Sequence, residues 1–163
     1  VGTLTASASF DASSPIDLVY SGVNDGGAGI QSVTLWARRN GGAWTAAPNA
    51  SAAAFGGFPY VPAAGDGKYD FALVVEDKAG NRSPVPSGEG AVSVTFDATA
   101  PAAGAVTAPE FASQNPIAVA YTGAADAGSG LEEVRLYVRK DAGAWTEASS
   151  VAPLATASGS FSY

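Results

Sequence analysis

Residues 68–77 read Lys-Tyr-Asp-Phe-Ala-Leu-Val-Val-Glu-Asp. Tyr69, Phe71, Leu73 and Val75 form one alternating set, and Asp70, Ala72, Val74 and Glu76 form the other. Successive side chains of a strand point to opposite faces, so this period of two predicts a strand with the first set turned inward and the second outward. The same alternation recurs on both sides of it. Ile16, Leu18 and Tyr20 oppose Asp17, Val19 and Ser21; Val33, Leu35 and Ala37 oppose Thr34, Trp36 and Arg38; and Val92, Val94 and Phe96 form a further inward set. Turn-forming residues separate the runs at 24–27, 40–42, 65–67 and 78–81, where Gly, Asn and Asp supply the backbone conformations that turns need. Alanine is abundant and favours helix, but it is scattered among Gly, Ser, Thr and Pro, and the alternation outweighs it.

The second informative feature is an internal repeat. Pro15-Ile16 recurs as Pro116-Ile117, an offset of 101 residues. Without a gap, that offset also carries Phe10 onto Phe111, Tyr20 onto Tyr121, Gly22 onto Gly123, Asp25 onto Asp126 and Gly29 onto Gly130. It continues through Val33 and Val134, Leu35 and Leu136, Arg38 and Arg139, and Trp44-Thr45 and Trp145-Thr146. A period this long is a whole small domain rather than a solenoid unit. The join is expected at Asp97–Pro101, which gives a first copy at 1–100 and a second at 101–163. Gly159-Ser-Phe-Ser-Tyr163 echoes Gly56-Gly-Phe-Pro-Tyr60 after a small insertion. The second copy is therefore expected to lack its last strands and to need completion, by continuation of the chain or by strand donation from another copy. A start at Val1, without an initiator Met or a signal segment, suggests a processed piece.

Roughly seven short strands in about 100 residues predict an all-β fold, two tandem Ig-like or fibronectin III-like β-sandwich domains with the second incomplete. The run 69–81, the linker 97–101, and Asp-x-Gly-x-Gly-[Ile/Leu] leading to a strand that ends in Arg and then Gly-x-Trp-Thr (25–45 and 126–146) carry a family resemblance. The chain resembles the bacterial Ig-like or fibronectin III-like repeats of large extracellular surface proteins. That resemblance implies a spacer or adhesive role at the bacterial cell surface and transfers no catalytic residue.

Composition narrows the chemistry. The 163 residues include no His, Cys or Met, which removes Ser/His/Asp and Cys/His catalysis, zinc fingers and haem ligation through those side chains. Hydrophobic residues make up 47% and charged residues 14%, a balance that builds a core and does not describe a disordered chain. The net charge of -7 opposes binding to nucleic acid or to an anionic membrane surface. No apolar run is long enough to span a bilayer. Absence of Cys fits a secreted or a cytosolic protein alike.

Carboxylates are the remaining acid-base groups. Glu76-Asp77 and Glu132-Glu133 are sequence neighbours, which a strand turns to opposite faces, so neither makes the facing pair that glycoside hydrolysis needs. Asp25, Asp77, Asn81 and Asp126 gather in Gly-rich turns. Such side chains cap turns by bonding nearby backbone, and the alternative is a calcium site built from carboxylates and carbonyls. Gly22–Gly29 precedes a strand rather than a helix and is no nucleotide loop. Trp36, Trp44, Tyr137 and Trp145 are candidate aromatics for stacking on a surface glycan or a protein partner. The alternative is cross-strand packing, with Trp36 across from Val74 and Arg38 near Asp70 or Glu76.

The expected role is a non-catalytic stalk or adhesive repeat whose partners are neighbouring repeats of the same chain. Two other readings stay open: a carbohydrate-binding module of a secreted enzyme, with the tryptophans as its platform, and a self-assembling subunit that exchanges strands.

Overall fold

The computed structural model describes residues 2–151 and 156–163. The chain divides into two compact units, Val1–Ala98 and Thr99–Tyr163. Every regular element among the described residues is a strand.

In the first unit the strands are β1 (Thr3–Ala6), β2 (Phe10–Asp11), β3 (Ile16–Ser21), β4 (Ile30–Arg39), β5 (Thr45–Ser51), β6 (Gly56–Tyr60), β7 (Gly67–Asp77) and β8 (Val92–Phe96). They form a three-stranded sheet in the order β1-β3-β6 and a five-stranded sheet in the order β2-β8-β7-β4-β5. The chain starts in one sheet and crosses to the other, where β2 runs parallel to β8; all other pairings in this unit are antiparallel.

The alternating sets place the core. Leu4, Ile16, Leu18, Tyr20 and Phe58 of the small sheet pack with Val33, Leu35, Ala37, Tyr69, Phe71, Leu73, Val94 and Phe96 of the large one. Tyr60 reaches across, its ring 5.7 Å from Tyr69 and 5.0 Å from Phe71, edge-on to both. Edge-to-face geometry suits the quadrupoles of the rings and fixes the spacing of the two sheets. Gly56 stands opposite Tyr20, and a Cβ there would lie 3.1 Å from the phenol ring. A larger residue would displace the Tyr20 side chain, whose hydroxyl donates to the Ala53 carbonyl at 3.2 Å.

Two expectations need correction. The outward set of β7 is only partly outward, because Asp70 and Val74 are 4% and 2% exposed. Trp36, Trp44, Arg38 and Arg82 share that face and lie over it in stacked pairs, so the sheet is covered by its own large side chains. The register also sets Trp36 opposite Ala72, and Val74 opposite Thr34. Trp36 is one cross-strand pair away from the expected partner, while Arg38 does stand opposite Asp70.

The second unit contains β9 (Ala105–Thr107), β10 (Ala118–Thr122), β11 (Val134–Val138), β12 (Thr146–Val151) and β13 (Ser158–Ser162). They form a sheet in the order β13-β10-β9 and a β11-β12 hairpin. Tyr121, Val119, Phe161 and Leu136 are buried with Ala124. Local geometry follows the 101-residue offset: Ser14-Pro15 and Asn115-Pro116 are cis, and Asn40 and Asp141 have φ of 51° and 53°. Short polar side chains tolerate this left-handed conformation. Phe58 faces Leu18 and Phe161 faces Val119 in matching registers. The residues inserted before this last strand fall within a span that includes 152–155, outside the described residues.

Phe71 is fully buried at the centre of the larger core. Phe71→Ala should destabilise the first unit by about 3–5 kcal/mol through lost transfer energy and a residual cavity. Val19→Ala, on the exposed face of β3, should stay within about 0.5 kcal/mol. Denaturant titration followed by tryptophan fluorescence measures both.

Candidate functional site

The Gly-rich turns build the first candidate. Asp25 accepts the backbone N–H of Gly27 at 3.1 Å and of Gly29 at 2.7 Å through one carboxylate oxygen. Asp126 repeats this with Gly128 at 3.0 Å and Gly130 at 2.8 Å. Gly29 and Gly130 have φ of 84° and 85°, a conformation that a side chain at these positions would strain. Asp77 closes another turn: it accepts the N–H groups of Ala79 and Asn81, each at 2.8 Å, and the Asn81 side-chain amide at 2.8 Å. The Asn81 amide holds the Asp77 carboxyl below its ordinary pKa.

Folding brings Asp25, Asp77 and Asn81 together along a cleft of about 220 Å³ at one end of the first unit. Asp126 belongs to the second unit. The cleft's carboxylates accept backbone and amide hydrogens, which is turn capping. Among the described residues, no group of three or more His, Cys, Asp or Glu is placed to hold a metal ion.

The aromatic residues form the second candidate. The Arg38 guanidinium lies 5.0 Å above the Trp44 ring, and Arg82 lies 5.9 Å above Trp36. Arg38 also donates through Nε to Asp70 at 2.8 Å, and the Ser93 hydroxyl donates to the other carboxylate oxygen at 2.5 Å. Lys68 stands 3.8 Å away. Burial pushes the Asp70 carboxyl upward, but the hydrogen bonds from Ser93 and Arg38 and the charges of Arg38 and Lys68 outweigh it, so it titrates below the ordinary value.

The indole N–H groups of Trp36 and Trp44 are buried and meet no acceptor among the described residues. Both side chains are half-buried, and each ring carries an arginine guanidinium. In the second unit Trp145 is 60% exposed, with Arg139 at 4.9 Å over its ring. Tyr137, 48% exposed, donates its hydroxyl to Glu147 at 3.2 Å. Of the four aromatics, these two are the more exposed.

The profile of the bacterial Ig-like domain family matches residues 2–98, more than half of the chain. The chain belongs to the bacterial Ig-like domain family. No curated protein sequence matches it. Within this Ig-like domain, sequence reasoning set Arg38 near Asp70 or Glu76, of which the structure pairs it with Asp70, but missed Ser93, which lies on β8 with no local signal linking it to β7. It also missed Arg39, whose guanidinium donates to the Asp66 carbonyl, and the Asp66 side chain, which accepts the Ala98 N–H at 2.9 Å. A preference for turns at Gly65–Gly67 was the available sign.

Asp70→Asn should destabilise the Ig-like domain by about 3 kcal/mol at pH 7, because Arg38 loses its buried counter-charge. A depressed carboxyl pKa stabilises above the ordinary value, near 3.9, and that contribution is lost as pH falls through the folded-state value. The gap between parent and variant should therefore close in acid, as urea titrations at pH 7 and pH 2.5 would measure. A second expectation concerns the turns. EDTA should leave the melting temperature unchanged, and calcium should not raise it; a fall reversed by calcium and absent in Asp25→Ala would establish a metal site.

Proposed function

We propose that this Ig-like chain is a non-catalytic structural or adhesive repeat, one segment of a tandem array in an extracellular bacterial surface protein. The observation that carries this reading is the gapless recurrence, 101 residues on, of the core residues, the Asp-capped glycine turn and the arginine-tryptophan stack. An array of like domains sets length and spacing, and each member needs only its own core and turns. Family membership supports it, since what recurs is a fold signature rather than a reaction centre. A net charge of -7 also disfavours nucleic acid and anionic membranes as partners. Among the described residues, no helix is long and apolar enough to cross a membrane.

The adhesive part of the reading rests on Tyr137 and Trp145, whose exposure suits contact with a surface glycan or protein. Antibodies raised against the chain should label intact cells of the source organism, and labelling only after lysis would overturn the surface assignment. A glycan array separates a spacer from a carbohydrate-binding module. Saturable binding lost in Trp145→Ala would support an adhesive repeat, whereas loss in Trp36→Ala or Trp44→Ala would favour the module, and no binding is the outcome expected of a spacer.

A further inference from the structure

The turn between β4 and β5 carries a chemistry that a structural repeat does not use. Arg39-Asn-Gly-Gly42 closes on itself, the Gly42 N–H donating to the Arg39 carbonyl at 2.9 Å, with φ of 51° at Asn40 and 71° at Gly41. Two successive positive φ values make the primed turn that suits the twist of a hairpin. Asn40 is tied twice to the start of β7. Its N–H donates to the Lys68 carbonyl at 2.8 Å, and its side-chain Oδ1 accepts the Lys68 N–H at 3.0 Å. Gly41 is bare by contrast. Its N–H donates to no group among the described residues, and a Cβ at this position would meet nothing within 4 Å.

We propose that Asn40-Gly41 is a self-modification site, where the folded domain converts Asn40 to aspartate with water as the only co-reactant. Loss of the Gly41 amide proton to solvent leaves a nitrogen that attacks Asn40 Cγ. A Cγ–N bond forms, the Cγ–Nδ2 bond breaks, ammonia leaves with a proton from solvent, and a five-membered succinimide remains. Water then adds to Cγ and breaks the new bond to Gly41 N, which takes back a proton; the main chain is restored and a carboxylate stands at position 40. Both additions put negative charge on Oδ1, where the Lys68 N–H already points. A fixed donor at a developing oxyanion is the electrostatic device of acyl transfer. It also selects the carbonyl that water attacks. The main-chain carbonyl of Asn40 accepts no hydrogen bond among the described residues, and opening the ring there would give isoaspartate instead.

The product fits the turn. At the 101-residue offset the second unit carries Asp141, with φ of 53° and the same closure, Gly143 N–H to the Lys140 carbonyl at 3.0 Å. The side chains of Arg39 and Asn40 both lie against Gly67, so the new carboxylate forms beside a guanidinium, an attractive placement. The other asparagines lack these conditions. Asn24, Asn49 and Asn81 precede Asp25, Ala50 and Arg82, whose side chains crowd ring closure, and the Asn81 amide is held by Asp77. Asn115 precedes Pro116, which has no N–H to lose.

Incubating the 163-residue chain for several weeks at 37 °C and pH 8, with intact mass and peptide mapping, tests this. A gain of about 1 Da should accumulate at Asn40, with aspartate exceeding isoaspartate, and no more slowly than in guanidinium chloride. The unfolded chain, without the Lys68 donor in place, should give mainly isoaspartate. Asn40→Gln, which would have to close a six-membered ring, should lose the gain at that position. Asn40→Asp, the finished product, should melt no lower than the parent. An Asn40 that persists in the folded chain overturns the proposal, as does a folded product that is mainly isoaspartate or a conversion faster in guanidinium chloride. A lower melting temperature for Asn40→Asp would show that the turn rejects the product and would overturn it as well.

Discussion

The antiparallel pairing of β4 with β7 is the constraint on which the Ig-like domain rests. Leu35 opposes Leu73, Val33 opposes Val75 and Ala37 opposes Phe71, and each pair turns its side chains toward the three-stranded sheet. Shifting this ladder by one residue would bring Asp70 and Glu76 into the core and send Phe71 to water. The outer strands of the large sheet take their places from the ladder: β5 by pairing with β4, β8 by pairing with β7, and β2 by pairing with β8. The small sheet then has a fixed surface to cover.

On the outer face, the contact of Arg38 with Trp44 and Asp70 converts a charged pair into a packing element. A guanidinium is planar and weakly hydrated, so it satisfies a carboxylate along its edge while its face lies on an aromatic ring. Ser93 completes the carboxylate's hydrogen bonds from β8. Three strands and the loop before β5 are thereby tied at one point, on the side of the sheet that the apolar core does not reach. This explains why Asp70 stays ionised although it is almost wholly buried.

Strands β3, β4, β7 and β8 were legible because each has one face on the core and large apolar side chains at alternate positions. β5, Thr-Ala-Ala-Pro-Asn-Ala-Ser, and β6, Gly-Gly-Phe-Pro-Tyr, have little contrast between their faces. In β6 the contrast is erased by Gly56, which makes room for the Tyr20 ring. The two residues of β2 give no local sign of a partner some 85 positions away in the sequence. Among the candidate site residues, the turn role of Asp25 and Asp77 was readable from the glycines beside them. Their meeting at one cleft was not, since about 50 residues separate them and only the β4–β7 ladder joins them. The burial of Val74 was hidden for a similar reason, because its cover comes from other strands and loops.

The crossing of the first segment from the small sheet to the large one has a mechanical consequence. β2 lies parallel to β8, held where Thr95 N–H donates to the Ser9 carbonyl and Asp97 N–H to the Asp11 carbonyl, at 2.8 and 2.9 Å. Tension entering ahead of β2 and leaving after β8 draws the two strands in opposite senses along their own length. The hydrogen bonds between them then carry the load together, in shear, rather than parting one after another as in a peeled hairpin. β1 lies ahead of β2 and pairs with β3 in the small sheet, so the β2–β8 contact takes this load where a pull along the chain passes β1 and reaches the large sheet.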